Sequence, residues 1–288
     1  MATKDSVGIR SASVTHDSMV AANVAQRERL AGQRDDDWAA LAQNFQADPR
    51  RKLDSLLTKI ASYVEADDVL VDVGGGTGRL SLPMALRCKE VVIVDPSEGM
   101  RGVFEKTAKE AGISNACYVA SNWVGAEGIE GDVALVAHVT YFVREIAPFL
   151  AKLNSAIRRR VIVCVRSVPP PNQIGPFFSL AHGEDIAPLP GHNELVGVLE
   201  ELGVTAELID VGPATVSATA LIRKTRVEAV KGEVEAAERM GWLGTVPPEQ
   251  LAKLIDEHFD ELLVETEEGF LRRGVIDARD LLITWEAR

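Results

Sequence analysis

Val69-Leu-Val-Asp-Val-Gly-Gly-Gly-Thr-Gly-Arg79 decides how the rest of the chain is read. Val69, Leu70, Val71 and Val73 make a short unbroken apolar run, the pattern of a strand covered on both faces of a parallel sheet. Gly74, Gly76 and Gly78 follow at alternate positions, where the lack of a Cβ lets the backbone approach a ligand. Leu80, Met84, Ala85 and Leu86 then recur at helical spacing. The turn is therefore expected to open a helix whose first free N–H groups face that ligand. Strand, glycine turn and helix in this order make the nucleotide-site unit of a doubly wound sheet.

Spacing narrows the nucleotide. A dinucleotide fingerprint G-x-G-x-x-G would need glycine where Arg79 stands, and no Gly-Lys follows to make a phosphate loop. The pattern present is Asp72-x-Gly74-x-Gly76-x-Gly78. Glu90-Val-Val-Ile-Val-Asp95-Pro-Ser-Glu-Gly-Met100 reads as a second buried strand ending in an acid, about twenty residues beyond the first glycine, where a carboxylate can accept both ribose hydroxyls. That acid identifies a ribose and leaves the reaction open.

Together these residues resemble the first motifs of the class I S-adenosylmethionine (SAM)-dependent methyltransferases, within a bacterial group of unassigned substrate. The resemblance implies that Asp72, Gly74, Gly75, Gly76 and Gly78 hold the amino-acid end of SAM. Asp95 would take the ribose, and the Pro96-Ser97-x-x-Met100 pattern after it would belong to the cofactor site, with Met100 packing on the adenine. Asn122 would bind the adenine amine through its carbonyl oxygen, although this position usually carries Asp, and Trp123 would stack on the ring. His138 and Tyr141 lie just past the expected fourth strand, at the edge where open α/β sheets bind ligands, so both should face the reacting methyl group. Plainer readings stand beside these: a glycine turn without a ligand, and Met100 as ordinary core.

With 288 residues, 46% hydrophobic, the chain is long enough for one large domain with attachments. A net charge of −12 disfavours nucleic acid or anionic membrane as partner. Arg158-Arg159-Arg160 is a basic run that reads as a solvated strand entrance. Cys88, Cys117 and Cys164 are too scattered for a zinc site or a disulfide framework. No metal is expected. Neither a signal-peptide core nor a membrane-length apolar run is found, so a cytoplasmic protein is expected.

In order, residues 1–16 are small and polar and expected to be disordered. Residues 17–64 should form an N-terminal helical cap, with helices from Ser18 to Ala31, from Asp35 through Phe45, and after Asp48-Pro49. Trp38 and Phe45 either wall a substrate pocket or are core aromatics. Residues 65–226 should form the Rossmann-like SAM-binding core, with further strands at 116–120, 132–137, 160–166 and 205–211. The proline-rich stretch from Pro169 to Gly191 reads as a long loop in which His182 is a substrate contact or a loop anchor. Residues 227–273 should be a helical insertion acting as a lid, and 274–288 the final antiparallel strand. The fold class is thus α/β, a doubly wound, seven-stranded, mostly parallel sheet.

The function expected is methyl transfer from SAM to a small-molecule acceptor, largely uncharged or cationic. SAM carries its own activated methyl group, so alignment is the protein's main task, and no catalytic base is identified. Two other readings remain: a non-catalytic SAM-binding scaffold, and a nicotinamide-dependent oxidoreductase.

Overall fold

The computed structural model describes residues 11–32, 36, 38–214 and 222–287. Its centre is a seven-stranded sheet built from β1 (Val69–Val73), β2 (Glu90–Val94), β3 (Ala116–Val119), β4 (Gly131–Ala137), β5 (Ile157–Arg166), β6 (Glu207–Pro213) and β9 (Arg279–Glu286), in the order β3-β2-β1-β4-β5-β9-β6. The first five strands pair in parallel, and β9 runs antiparallel between β5 and β6. This is the expected doubly wound, mostly parallel sheet.

Alternation along the strands divides the core in two. Leu70, Val133, Leu135, Ile162, Cys164 and Leu282 point to one face, covered by α2 (Ser55–Ala61), the single turn α3 (Leu82–Ala85) and α4 (Glu98–Glu110). Val71, Val73, Ala134, Val136, Val161, Val163 and Ile283 point to the other, under α1 (Ala12–Ala31), α5 (Ile146–Ala156) and α7 (His192–Glu201). Apolar runs without polar interruption are what a sheet covered on both sides demands. Leu135 is fully buried, and its truncation to alanine would cost about 2–5 kcal/mol.

Several expectations need correction. Residues 1–10 lie outside the described residues, but helix α1 begins at Ala12, inside the stretch read as disordered. Tertiary bonds order it: Glu201 accepts from the hydroxyls of Ser11 and Ser13, and Asp17 accepts the Ile146 N–H at 3.1 Å, capping α5 from another helix. The helix expected from Asp35 through Phe45 is a 3₁₀ segment at Ala39–Phe45. After the glycines the chain makes a turn and only the four-residue α3, so the backbone lining this corner is loop.

The stretch from Pro169 to Gly191 is also no long loop. It folds into a 3₁₀ turn (Pro170–Ile174) and α6 (Gly175–His182), whose Phe177 and Phe178 are buried. Its partner is the insertion, made of α8 (Arg226–Met240), α9 (Pro248–Glu257), α10 (Phe259–Leu262), a hairpin of β7 (Leu263–Thr266) and β8 (Gly269–Arg272), and the one-turn α11 (Arg273–Ile276). Ala237, Trp242, Leu251, Ile255 and Phe259 pack with Ile174, Phe177 and Phe178 into a third core. The hairpin was not foreseen. A buried ion pair, Arg272 Nη2 to Glu233 Oε2 at 2.6 Å, joins it to α8. Among the described residues no helix is long and apolar enough to cross a membrane.

Candidate active site

A cavity of about 420 Å³ opens over the carboxyl ends of β1, β2 and β4, a volume in the usual range for a small-ligand site. Its floor is the glycine loop. Gly74 donates to the Val94 carbonyl at 2.8 Å, locking the loop to the end of β2. A Cβ at Gly75 would lie 2.4 Å from Asp72 Oδ2, so that position is closed by the carboxylate beneath it. Gly76 differs. Its φ of +55° suits glycine, and the nearest heavy atom to an added Cβ is Met100 Sδ at 3.4 Å. The space above Gly76 is left for something other than protein.

Two carboxylates flank this space. Asp72 is buried, and its Oδ1 has no hydrogen-bond partner among the described residues. Burial, with the charge of Asp95 added, pushes its pKa up to about 7. Asp95 accepts the N–H of Gly76 at 3.0 Å through Oδ2 and that of Ser97 at 2.9 Å through Oδ1. Its pKa is also raised, chiefly by burial. Ser97 caps α4 by accepting the Met100 N–H at 3.2 Å, and this brings Met100 to the wall facing Gly76.

Asn122, Trp123 and Val124 form the far wall. Asn122 Oδ1 already accepts the Gly125 N–H at 2.8 Å, so any further donor must share that oxygen. Trp123 is buried, its indole N–H donating to the Phe149 carbonyl at 3.3 Å. At the other end stands His138, with a φ of +60°, rare for a residue with a side chain. Burial, then the charges of Arg166 and Arg79, drive its pKa down to about 3, so the ring is neutral near pH 7.

The N-terminal segment closes one side. Trp38 meets Phe142 edge-on at 5.4 Å between centroids and Phe45 at 6.3 Å. Thr77 donates to the Phe45 carbonyl at 2.8 Å, and Arg51 to the Arg79 carbonyl at 2.8 Å. Gly99 lets the 39–45 turn sit against the start of α4, since a Cβ there would lie 2.5 Å from Ala39 Cα.

Of the residues singled out from sequence, Trp38, Phe45, Asp72, Gly74, Gly75, Gly76, Asp95, Pro96, Met100, Asn122, Trp123 and His138 line this one cavity. Gly78 does not; it packs under Leu82 and Phe104. Ser97 acts behind the wall as the cap of α4. Tyr141 is buried behind His138, its phenol oxygen accepting the Arg166 N–H at 2.6 Å, so it holds the end of β5 and does not line the cavity. His182 is elsewhere: its Nε2 bonds the Trp242 carbonyl at 2.9 Å and its ring packs on Phe178. Helix α6 turns it toward the insertion, and the substrate role is withdrawn. None of the lining residues comes from the insertion.

Sequence reasoning missed Arg79, Val139, Phe142, Val143 and Phe149, all on the cavity wall. Arg79 had a visible signal, an arginine directly after the glycine loop at the head of an apolar run. The others look like core until their strand ends are placed. Among the described residues no three His, Cys, Asp or Glu side chains gather as a metal site would need.

Comparison with known proteins follows the same outline. The family model for a methyltransferase domain matches residues 71–165. No curated protein matches the chain in sequence. Among solved structures, the YcgJ protein of Bacillus subtilis superposes with a TM-score of 0.52 at 12% identity, over 81% of this chain and 97% of its own. A candidate methyltransferase of Bacillus halodurans C-125 does so with a TM-score of 0.52 at 14% identity, over 81% and 97%. The [4+2]-cyclase SpnF gives 0.52 at 14% identity, over 84% of each chain. At such identities the likeness is one of fold, and a cyclase among these neighbours means that the fold alone does not fix the reaction.

Proposed function

Taking as premise that the chain carries a class I SAM-dependent methyltransferase domain, we propose that it transfers the methyl group of SAM to a small-molecule acceptor. The observation that carries this reading is the space over Gly76, bounded by Met100 and Asp95, in a cavity that Asp72 also lines. Those residues fit the cofactor's chemistry. A buried carboxylate with an unpartnered Oδ1 suits a cationic ammonium, and a carboxylate held by two backbone N–H groups still has lone pairs for ribose hydroxyls.

Bound SAM would supply an electrophilic methyl group on a sulfonium. The protein's own work is to bind, orient and exclude water. Asp72 and the Gly74–Gly76 backbone would fix the amino-acid end, Asp95 the ribose, and Met100 and Asn122 the adenine. Trp38, Phe45, Val139, Phe142 and Val143 offer the acceptor an apolar, largely aromatic wall. His138 sits between the two regions. With its pKa near 3 it is a weak base, so its role is to position through a hydrogen bond. Tyr141 Oη already accepts the Arg166 N–H, so its own proton can go to His138 Nδ1, 3.4 Å away, which leaves Nε2–H as the donor. Alignment of this kind can contribute about 7–11 kcal/mol in favourable cases. The net charge of −12 supports a small molecule over nucleic acid as acceptor.

The test is calorimetry with SAM, S-adenosylhomocysteine (SAH) and NADH, followed by methyl-labelled SAM incubated with fractionated small-molecule extracts. Tight SAH binding with a labelled product is the expected result. SAM binding with no labelled product in any fraction would favour a scaffold, and retention of NADH instead would favour an oxidoreductase.

A further inference from the structure

We infer that Arg79, backed by Arg166, forms an anion subsite at the acceptor end of the cavity, and that the methyl acceptor carries a carboxylate or phosphate group. The inference rests on the cofactor reading above and revises the sequence-based expectation of an uncharged or cationic acceptor.

Arg79 lines the cavity and is only partly exposed. Among the described residues its guanidinium makes no ion pair. A partly buried charge without a partner is costly, and it is tolerated where a ligand supplies the counter-charge. Of the carboxylates whose charge reaches Arg79, Asp72 is buried and its carboxyl is held well above the usual range by that burial, and two others are engaged elsewhere. Asp54 caps α2, accepting the Leu57 N–H at 2.8 Å, and Asp280 lies 3.6 Å from Arg166 Nε. Meanwhile Arg51 and Arg166 stand close enough to oppose the charge on Arg79, in addition to its burial. His138, whose pKa burial lowers first, feels the charges of Arg166 and Arg79 from the cavity side. In a protein of net charge −12, a positive corner inside a cleft concentrates the field on an anionic ligand.

Strand order says which ligand. Asp95 ends β2, the glycine loop follows β1, His138 follows β4, and Arg166 ends β5. Neighbours in the sheet run β2-β1-β4-β5, so the ribose, the amino-acid end and the acceptor are met in that sequence. Arg79 leaves the β1 loop, but the charges it feels belong to Arg166 at the end of β5 and Asp280 on β9, together with Arg51 and Asp54 of the N-terminal segment. Its guanidinium, which also acts on Asp72 at the amino-acid end, therefore stands on the cavity wall between that end and the acceptor side.

The test uses the full-length protein saturated with SAH, with benzoate and inorganic phosphate as probes and benzamide as the neutral control. Binding is read from the Arg79 Nε–H signal in protein with ¹⁵N-labelled arginine. At least one anion should bind saturably and benzamide should not; benzoate alone would point to a carboxylate and phosphate alone to a phosphate. Arg79→Gln should weaken the anion about tenfold or more, the loss of a charge-assisted hydrogen bond. Arg79→Lys should restore part of it, and calorimetric SAH affinity should change by no more than a few-fold in either variant. The inference fails if neither anion binds the SAH complex, or if SAH displaces the anion. It fails also if SAH affinity collapses in Arg79→Gln, because the arginine would then serve the cofactor's own carboxylate. Failure of SAH to bind the wild-type protein would instead remove the cofactor reading, and the acceptor assignment with it.

Discussion

Ser97 Oγ donates a 2.8 Å hydrogen bond to Asp36 Oδ2, fastening the turn after β2 to the segment that carries Trp38. The same carboxylate accepts the N–H groups of Trp38 and Ala39, each at 3.0 Å. Burial works against ionisation, but these three donors hold the Asp36 carboxyl below its usual range. One side chain thus both starts the 39–45 turn and pins it to the cofactor loop.

Asp36→Ala should release that pin. Loss of a helix cap costs about 0.5–2 kcal/mol, felt at this segment, which keeps its Thr77–Phe45 bond and the packing of Ala42 with Met100 and Val103. Hydrogen exchange across Trp38–Phe45 should accelerate several-fold, and SAH affinity should fall. Because the folded-state pKa is depressed, the clasp is present above the unfolded value near 3.9 and is lost as pH falls through the folded one. Exchange at 38–45 that is unchanged in the variant would mean other contacts hold the segment.

Asp72 gives the opposite sign. Its pKa in the free protein is about 7, above the unfolded value near 3.9, so the folded state binds the extra proton and stability falls as pH rises between about 4 and 7. Asp72→Asn should therefore raise the melting temperature of the free protein at pH 8, with the advantage gone below about pH 4. It should also weaken SAM binding strongly. For the wild type, calorimetry at pH 6 in buffers of different ionisation enthalpy should detect proton release on SAM binding. No proton release there, or a destabilised variant at pH 8, would contradict the reading.

Gly76→Val tests the space above the loop. A β-branched side chain at a φ of +55° costs about 1–2 kcal/mol of backbone strain, which a core of this size absorbs. SAH binding should be abolished while the circular dichroism spectrum is kept. Undiminished affinity would place the cofactor elsewhere.

For His138, asparagine is the informative replacement because it tolerates positive φ. Turnover should fall by about tenfold, the scale of one lost positioning hydrogen bond. The pH–rate profiles of wild type and variant should share the same shape, since a group with a pKa near 3 does not titrate between pH 5 and 9. An inflection near pH 6.5 present only in the wild type would make His138 a working base.

Glu233→Ala should destabilise the protein by about 3–5 kcal/mol, the usual cost of leaving one member of a buried ion pair alone, here Arg272. Chemical denaturation would measure it. SAH affinity should hold, because none of the cavity-lining residues belongs to the insertion. A loss of affinity would be the sign that the insertion acts on the site, as the lid reading requires.

What could be read in the chain was what depends on local spacing. The glycine loop, Asp95 and Met100 are each fixed by residues a few places away. Their meeting in one cavity follows from parallel strands that end on the same edge. Arg79 was visible as an arginine straight after the glycine loop, but that it makes no ion pair depends on Asp54 and Asp280, which are engaged in other parts of the fold. His182 misled because an aromatic-rich, proline-rich stretch looks like a binding loop. Only the third core shows that Phe177 and Phe178 are there to hold the insertion. The β7–β8 hairpin escaped notice because two four-residue strands beside Glu267-Glu268 carry too little alternation to stand out.

The place of β9 bears on how the molecule is made. It lies between β5 and β6, yet the entire insertion is synthesised between β6 and β9. Until Arg279–Glu286 leaves the ribosome, β6 has no strand beside it and the outer edge of β5 is bare. Both edges stay open to pairing with other nascent chains throughout that interval. The insertion meanwhile has its own core to form with α6, which is already synthesised. The central sheet is therefore completed only by the strand made last, which closes the gap between β5 and β6.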